Sequence, residues 1–411
     1  MRVEEAKQAI LRRLVPIAET EHVELRAALG RVLALDIVSP INVPQHDNSA
    51  MDGYALRAAD IGELGGAGEI TLRIAGEALA GRPYAGVHGA GHCVLITTGA
   101  VLPKGCDCVV PQELVLSASN EVVRLAHGVV KAGANCRRAG EDLRAGSIAL
   151  SAGKVLRPAD VGLLASLGIA AVAVKRRLRV AFFSTGDELR SLGQDLEPGC
   201  VYDSNRYTLH AMLARLGVEA IDLGVVRDDP AALQAALERG CREADAIVTS
   251  GGVSVGAADH TREIMAQMGA VDFWKIAMRP GRPMAFGSVN AGTKSAWLFG
   301  LPGNPVAVMV SFYLIARDAL LHLAGASDAA LPLLRMPCRG TLRKKPGRTE
   351  FQRGMLMCDD AGRSRVRAFD EQGSGILRSM SEANCIIVLE HERGDVADGE
   401  DVDVILFDGL V

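Results

Sequence analysis

The sequence predicts a multidomain α/β protein whose central part is an open α/β sheet. Four short apolar runs, rich in β-branched or aromatic residues, recur in the segment from 179 to 324, and a polar turn follows each run, with glycine in three of the four turns. This is the pattern of strands that are covered by helices on both faces. The runs are Val180–Phe183, Ala220–Val226, Ala246–Thr249 and Ala296–Phe299.

The turns predict a binding site, because ligands of such sheets bind beyond the carboxyl ends of the strands. They contain glycines that free backbone N–H groups, several hydroxyls, and the carboxylates of Asp187, Glu188, Asp228 and Asp229. These are the groups that an anionic ligand with a metal ion requires. The predicted substrate-binding residues of the turns are Ser184, Thr185, Gly186, Asp187, Ser250, Gly251, Gly252, Ser254, Gly256, Pro302, Gly303, Asn304 and Pro305.

Alternating patterns flank the α/β segment on both sides. Short strand-like runs between Ile41 and Arg138 predict a compact β-rich domain, which is inserted between helical stretches. From Leu331 onward a second set of runs predicts a small C-terminal β domain. The predicted domains are a helical N-terminal part (1–45 with 140–177), the inserted β-rich domain (46–139), the α/β domain (178–326) and the C-terminal β domain (327–411).

Local signals place several helices. Val3, Ala6, Ile10 and Leu14 form one apolar side of an N-terminal helix. Asp203 with Ser204, and Asp229 with Pro230, are typical helix starts. The most apolar window, 306–324, is interrupted by charged residues, so we expect a core helix rather than a membrane span.

Composition excludes some function classes. A net charge of −4 over 411 residues gives no general attraction to nucleic acid or to anionic membranes. The nine cysteines are scattered without a C-x-x-C pair, which indicates reduced thiols, and no His or Cys cluster has zinc-ligand spacing. The N-terminus lacks the pattern of a signal peptide. We therefore expect a cytoplasmic protein without nucleic-acid or membrane partners.

Two further features lie near the glycine turns. The loop from Ser250 to Gly256 precedes a helix, so it is either an anion site or a plain tight turn. Lys275, Arg279 and Arg282 are held between glycine and proline residues, and are either fixed cations for an oxyanion or a solvated turn. Asp259 lies between these two features, where a carboxylate among cations favours a metal or a second ligand group.

Seven ordered strings resemble the MoeA-type molybdopterin molybdenumtransferases, the family that includes the E domain of gephyrin. Taken from spacing alone, the first three are only turns with solvated charges. The resemblance covers the whole chain. The strings are Asn48–Tyr54, Thr98–Ala100, Gly140–Asp142, Ser184–Glu188, Thr249–Gly256, Pro280–Pro283 and Gly300–Pro305.

The resemblance implies a central α/β domain of the molybdopterin-binding type and an enzyme of the last step of molybdenum cofactor synthesis. Molybdate is inserted into adenylylated molybdopterin, with Mg²⁺ and release of AMP. The family forms homodimers whose active cleft is shared between subunits. Expected partners are the molybdopterin adenylyltransferase and molybdoenzyme-maturation proteins.

The resemblance implies a role for each residue of this sequence that matches a family motif. Asp52, Thr98 and Asp142 belong to the side from the partner subunit, together with the substrate-binding Arg137. The α/β side supplies the other catalytic residues, Glu188, Asp228, Asp259, Lys275 and Arg279, with Arg282 binding substrate. Glu188, Asp228 and Asp259 are the expected Mg²⁺ ligands. Pro302 and Pro305 shape a loop, and Arg353 and Ser374 come from the C-terminal domain.

The sequence departs from some relatives at basic positions of the site, and two alternative functions remain open. Some relatives have lysine in place of Arg279 and Arg282, and arginine in place of Ala139, which affects the geometry of oxyanion binding. One alternative is a tungstate-inserting paralogue. The other is a non-catalytic scaffold of the same fold. A scaffold could lose the site carboxylates, so the presence of all five disfavours this alternative: Asp52, Asp142, Glu188, Asp228 and Asp259.

Overall fold

The computed structural model describes residues 1–63, 65–253, 258–328, 330–359 and 362–407, apart from the side chains of 258–261. The chain divides into two compact units. The larger unit comprises Met1–Leu35, Ala152–Pro158 and Ala171–Val411, and the smaller unit comprises Asp36–Ser151 and Ala159–Ala170. The four domain bounds expected from the sequence remain a prediction.

A six-stranded mixed sheet forms the centre of the larger unit. The first four strands in its order run parallel, and they are the four apolar runs of the sequence. The last two strands pair antiparallel. This sheet confirms the predicted α/β fold class. Across the sheet the strands are Glu219–Val226, Arg179–Thr185, Ala246–Ser250, Lys294–Leu301, Pro283–Ala291 and Gly269–Lys275.

Helices cover both faces of this sheet, because alternate strand residues enter two different cores. Phe182 packs on the same side as the N-terminal helix and the helices after 203 and 304, whereas Phe183 packs with the helices after 229 and 257. Asp203 and Asp229 cap their helices as predicted. Each side chain accepts a hydrogen bond from the backbone N–H of the residue three positions later, Arg206 and Ala232 respectively. The helices are Val3–Leu11, Ser204–Arg215, Pro230–Glu243, Ala258–Met268, Pro305–Ser311, a π turn Phe312–Ala316, and Arg317–Leu323.

The helical run Pro305–Leu323 is long and apolar enough to cross a membrane by length and composition. However, 78% of its most apolar window is buried inside the fold, as for the core helix of a soluble protein. Two small strand pairs complete this part of the unit: Thr20–Glu24 pairs antiparallel with Ala171–Lys175, and Leu189–Arg190 pairs parallel with Val201–Tyr202. A single 3₁₀ turn, Leu25–Ala27, follows the first of these strands.

A second six-stranded sheet lies in the C-terminal part of the larger unit. One edge strand, Met278–Arg279, comes from the α/β segment and pairs parallel with Thr349 and Glu350. Phe351 and Ile386 of this sheet join the core that contains Phe182, so the two sheets share one apolar core. The other strands are Thr349–Cys358, Cys385–Leu389, Asp401–Leu406, Leu334–Pro337 and Ser364–Ala368, with the short helix Leu377–Glu382.

The smaller unit is β-rich, as the alternating pattern predicts. Its six-stranded sheet encloses a core that includes Tyr54, Leu72 and Val123. In sheet order the strands are Cys108–Pro111, Gly53–Leu56, His92–Ile96, Glu69–Ala78, Val122–Ala126 and Val115–Ala118. Two short antiparallel pairs join Asn48–Ser49 to Cys136–Arg137 and Ile37–Val38 to Ile148–Leu150, and the 3₁₀ turns are Ala58–Asp60 and Gln112–Leu114. The helix Pro158–Ser166 spans a boundary between the units.

Candidate active site

The polar turns of the α/β sheet all begin at the same end of the sheet, where the parallel strands finish. In the parallel register Thr185 pairs with Val226, Ser184 with Ser250, and Ser250 with Leu301. The carboxyl ends of four adjacent strands are therefore level, and each continues into one of the predicted turns. This arrangement is the strand-end location at which open α/β sheets bind ligands.

The first two turns are joined by hydrogen bonds that involve carboxylates. The Thr185 hydroxyl donates to Asp228 Oδ1 at 2.5 Å, and the Asp228 backbone N–H donates to Asp187 Oδ1 at 3.3 Å. Glu188 lies close to Gly186, because a Cβ on that glycine would meet the Glu188 carboxylate at 2.6 Å. Asp187, Glu188 and Asp228 are all exposed. Three carboxylates thus stand at neighbouring strand ends and face solvent.

Gly251 is required by the backbone of the third turn. Its φ is +92°, and a Cβ there would meet the carbonyl oxygen of Thr185 at 2.5 Å. The Gly251 N–H donates to the carbonyl of Leu301 at 3.1 Å. Gly252 also has a positive φ, +69°. Ser254 and Gly256, predicted as binding residues, lie outside the described residues, and so does the side chain of Asp259.

Buried polar residues behind the turns hold them together. Ser184 donates from its hydroxyl to Asp203 Oδ1 at 2.9 Å. The side-chain amide of Asn205 donates to Ser250 Oγ at 2.8 Å and to the carbonyl of Gly303 at 2.6 Å. The sequence pattern predicts Asp203 only as a helix cap and gives no role to Asn205. The one available signal is the polar run Asp203–Asn205 directly after Tyr202.

The predicted cations occupy two places. Lys275 is exposed at the carboxyl end of the sixth strand of the α/β sheet. Arg279 is exposed on the strand that joins the C-terminal sheet, with Nη1 3.9 Å from Glu350 Oε2. Arg282 is exposed and its carbonyl accepts from the Ile276 N–H. Among the described residues, neither Lys275 nor Arg282 forms an ion pair, whereas Arg279 lies near Glu350.

The fourth turn contacts the C-terminal part of the chain. Asn304 donates from its amide to Ser374 Oγ at 3.1 Å, and the Val306 N–H donates to the Ser374 carbonyl. Pro302 is buried and Pro305 begins a helix. The structure thus brings Ser374, predicted from the resemblance, against the predicted loop.

Arg353 is buried, with 1% of its surface exposed. Its guanidinium donates to the carbonyls of Glu371, Gln372 and Gly373, and Nε donates to Ser379 Oγ. Burial, followed by the charge of Arg279, lowers the pKa of Arg353 to about 10, so the group stays charged at neutral pH. This side chain is engaged with the segment that precedes Ser374.

Three predicted motifs converge in the smaller unit. Asn48 pairs with Arg137 in the short antiparallel ladder, and the Thr98 N–H and hydroxyl both donate to Asp52 Oδ1. Asp52 and Asp142 are exposed. The Asn48 Oδ1 atom is buried and has no hydrogen-bond partner in the described part of the chain. The turns at Asn48–Tyr54 and Thr98–Ala100, which the sequence pattern alone gives as separate, are therefore joined to each other, and Asn48 joins them to Arg137.

The charges next to Asp142 form internal ion pairs. Arg137 Nε lies 2.7 Å from Glu141 Oε1, and Arg138 Nη1 lies 2.7 Å from Asp47 Oδ2. The Ala139 N–H donates to Asp47 Oδ1 at 2.8 Å. The position at which some relatives carry a third arginine therefore contributes a backbone hydrogen bond in this chain.

Comparisons with known proteins identify the family. Residues 1–168 match the model of the MoeA N-terminal region (domain I and II), 181–322 a probable molybdopterin binding domain, and 335–407 the MoeA C-terminal region (domain IV). A molybdopterin molybdenumtransferase of Haemophilus influenzae is 40% identical, with 100% of this chain and 99% of the relative covered. The chain belongs to the MoeA family. This confirms the resemblance that the seven motifs carry.

Other MoeA relatives agree over nearly the full length. A molybdopterin molybdenumtransferase of Nostoc is 35% identical, with 94% of this chain and 88% of the relative covered. The molybdopterin biosynthesis moeA protein of Pyrococcus horikoshii has a solved structure that matches with a TM-score of 0.82 at 29% identity, covering 99% of this chain and 100% of that one. As a MoeA protein, this chain is a transferase of molybdenum cofactor biosynthesis.

Proposed function

We propose that this transferase inserts molybdate into adenylylated molybdopterin and releases AMP. The observation that carries the proposal is the level row of polar turns at four strand ends, because it lies in the segment that matches a probable molybdopterin binding domain. In this reaction molybdate would bind at the dithiolene sulfurs, while water cleaves the phosphoanhydride, so that AMP leaves and the pterin keeps its own phosphate. Molybdate, phosphate and AMP bring several negative charges together. A site for this reaction needs fixed cations, backbone N–H groups and a divalent ion, and no protein nucleophile.

The residues present fit Mg²⁺ as the divalent ion. Mg²⁺ prefers oxygen ligands and is commonly held by one or two carboxylates together with substrate phosphates. The described residues contain no group of three His, Cys, Asp or Glu side chains placed to hold a metal, but Glu188 and Asp228 offer exposed carboxylates at adjacent turns. We propose these two as ligands, with Asp259 as a third. The ion would neutralise phosphate charge as the phosphoanhydride is cleaved.

The remaining residues act by binding and orienting the substrate. Lys275, Arg279 and Arg282 attract the oxyanions, and an arginine can present two N–H groups to one oxyanion. The backbone groups of the turns that follow Ser184, Ser250 and Pro302 hold the substrate at the strand ends. Asn304 and Ser374 close the loop side of the site through their 3.1 Å hydrogen bond.

We further propose that the enzyme is a cytoplasmic homodimer with a shared cleft. In this proposal Asp52, Thr98, Arg137 and Asp142 of one subunit face the α/β turns of the other. The expected partners are the molybdopterin adenylyltransferase, which would supply the substrate, and molybdoenzyme-maturation proteins, which would receive the product.

The test is a reconstitution with purified protein, adenylylated molybdopterin, Mg²⁺ and either molybdate or tungstate, in which AMP release is measured. AMP release that requires molybdate supports the proposal, whereas release with tungstate alone identifies a tungstate-inserting enzyme. Binding of the nucleotide without AMP release under any condition contradicts the proposal and favours a scaffold.

A further inference from the structure

Two buried polar residues lie behind the turns of the α/β sheet, at the start of the helix Ser204–Arg215. Asp203 is 2% exposed and Asn205 is 8% exposed. Neither is a member of the site as the seven motifs define it. Their side chains are too deeply buried to contact a substrate directly, so their effect on the site has to pass through the residues that they hold.

Asp203 fixes the first turn. Its Oδ1 accepts a 2.9 Å bond from the Ser184 hydroxyl and a 3.1 Å bond from the Arg206 N–H. The same oxygen therefore caps the helix and holds the last residues of the strand. The next residue, Thr185, donates to Asp228, so a displacement of Ser184 would be transmitted to a proposed metal ligand.

Asn205 joins the third turn to the fourth. One side-chain nitrogen donates to Ser250 Oγ at 2.8 Å and to the Gly303 carbonyl at 2.6 Å. The two turns are close enough for a direct effect, because a Cβ on Gly303 would lie 3.7 Å from the Gly251 Cα. The Asn205 amide thus bridges the two loops beyond the point where their strands are paired, in addition to the bond between the Gly251 N–H and the Leu301 carbonyl.

These residues are not arranged for stability alone. Asp203 Oδ2 and Asn205 Oδ1 are buried and have no hydrogen-bond partner among the residues that the structure describes. A buried oxygen without a partner costs stability. Polar groups that are kept at such a cost are expected where function requires a fixed geometry.

We propose that Asp203 and Asn205 are positioning residues of the transferase reaction: Asp203 sets Ser184 and Thr185, and Asn205 sets the distance between the Ser250 and Pro302 turns. The inference rests on the proposed function for its kinetic consequence. A small displacement of groups that orient a reacting substrate lowers the rate of the chemical step by about 10²-fold.

The test compares Asn205→Ala with Asn384→Ala. Asn384 is the control: its amide also bonds to a backbone carbonyl, that of Leu356, but it is exposed and lies beside the C-terminal sheet, away from the turns. We expect Asn205→Ala to lower kcat for AMP release by about 10²-fold with a smaller change in KM, and Asn384→Ala to retain the wild-type kcat. Equal kcat values in the two variants overturn the inference.

Conservative variants separate positioning from folding. Asp203→Asn keeps an acceptor for Ser184 and Arg206 and should retain most activity, whereas Asp203→Ala should lose it. Asn205→Asp has nearly the same size but places an acceptor against the Gly303 carbonyl, so it should fail like Asn205→Ala. If losses only follow the fraction of folded protein, measured by thermal melting, the role is structural and the inference is wrong.

A readout that does not depend on the reaction distinguishes this inference from the proposed function. Hydrogen–deuterium exchange of the backbone amides of Gly251 and Gly303 should be faster in Asn205→Ala than in the wild type or in Asn384→Ala. A wild-type protein that releases no AMP defeats the proposed function, but accelerated exchange still supports the connection between the turns. Unchanged exchange in Asn205→Ala overturns it.

Discussion

The backbone N–H and the hydroxyl of Thr98 both donate to the same carboxylate oxygen of Asp52, at 2.6 and 2.9 Å. Two donors on one oxygen stabilise the charged carboxylate. The pKa of Asp52 is accordingly lowered from its ordinary value of 3.8, mainly by the backbone bond and next by the hydroxyl. Although Asp52 is exposed, it therefore has a fixed charge and a fixed direction.

Thr98→Val should raise the pKa of Asp52 partway back toward 3.8, because the hydroxyl donor is lost while the backbone donor remains. Thr98→Ser should leave the pKa low. A lowered carboxyl pKa contributes stability that is present above pH 3.8 and is lost as the pH falls through the folded-state pKa. NMR titration of the Asp52 carboxyl measures the shift, and identical titrations in the valine and serine variants would contradict this account.

Glu188→Gln should lower Mg²⁺-dependent AMP release by about 10²-fold, since it removes a charge from the proposed ion site. The matched control is Glu197→Gln, because Glu197 is an exposed carboxylate that pairs with Arg190 at 2.9 Å. Steady-state rates at several Mg²⁺ concentrations decide the matter. Near-normal turnover of the Glu188 variant, alone and combined with Asp259→Ala, would remove both residues from the site.

Arg279→Ala should weaken substrate binding by roughly 10- to 100-fold, because a charge-assisted bond to an oxyanion contributes about 1.5–3 kcal/mol and each 1.4 kcal/mol is a factor of ten. The control is Arg239→Ala, whose guanidinium pairs with Glu243 on a helix surface. Calorimetry at low and high salt should give a weaker salt dependence for the Arg279 variant only. Equal effects of the two substitutions would indicate that Arg279 belongs to a solvated turn and does not bind the oxyanion.

Mixed dimers test whether the cleft is shared. An Asp52→Ala chain and a Glu188→Ala chain should each be inactive alone, but a random mixture should regain about a quarter of wild-type activity. Half of the dimers would be mixed, and one of the two clefts in each would be intact. Mixed dimers that form, as shown by differently tagged chains, and remain inactive would exclude a shared site.

Arg353→Ala should lower the free energy of unfolding by about 3–5 kcal/mol, since it leaves a cavity and buried carbonyls without donors. Arg378→Ala is the control, because that side chain is 86% exposed and pairs with Glu382 on the helix surface, where solvent screens the pair and little stability depends on it. Urea denaturation gives both values. A change below about 1 kcal/mol in the Arg353 variant would show that its bonds are dispensable.

Local patterns in the sequence were sufficient for much of the α/β part. Short apolar runs that are followed by polar turns predict strands and their ends, and all four runs become parallel strands with level ends. The caps at Asp203 and Asp229 follow from residues only three positions apart. The bond between Ser184 and Asp203, in contrast, joins residues 19 positions apart and depends on tertiary packing.

Long-range pairing explains what the pattern could not supply. Asn48 and Arg137 meet in a two-residue ladder, and 46 residues separate Asp52 from Thr98. No periodicity links such short, polar segments, so only the resemblance to MoeA proteins selects them. The burial of Arg353 is equally hidden, because an arginine inside a strand reads as a surface residue until its carbonyl partners are known.

The short strand Met278–Arg279 has a consequence for dissection of the chain. It precedes residue 327 by almost fifty positions, yet it forms an edge of the C-terminal sheet beside Thr349 and Glu350. A fragment that begins at residue 327 would contain that sheet without this edge strand. Its Phe351 would also lack the partners that it has in the shared core. The uncovered sheet edge is open to pairing with other chains. The C-terminal region thus depends on the preceding segment for one edge strand and for part of its core. We expect the region to aggregate when it is expressed alone.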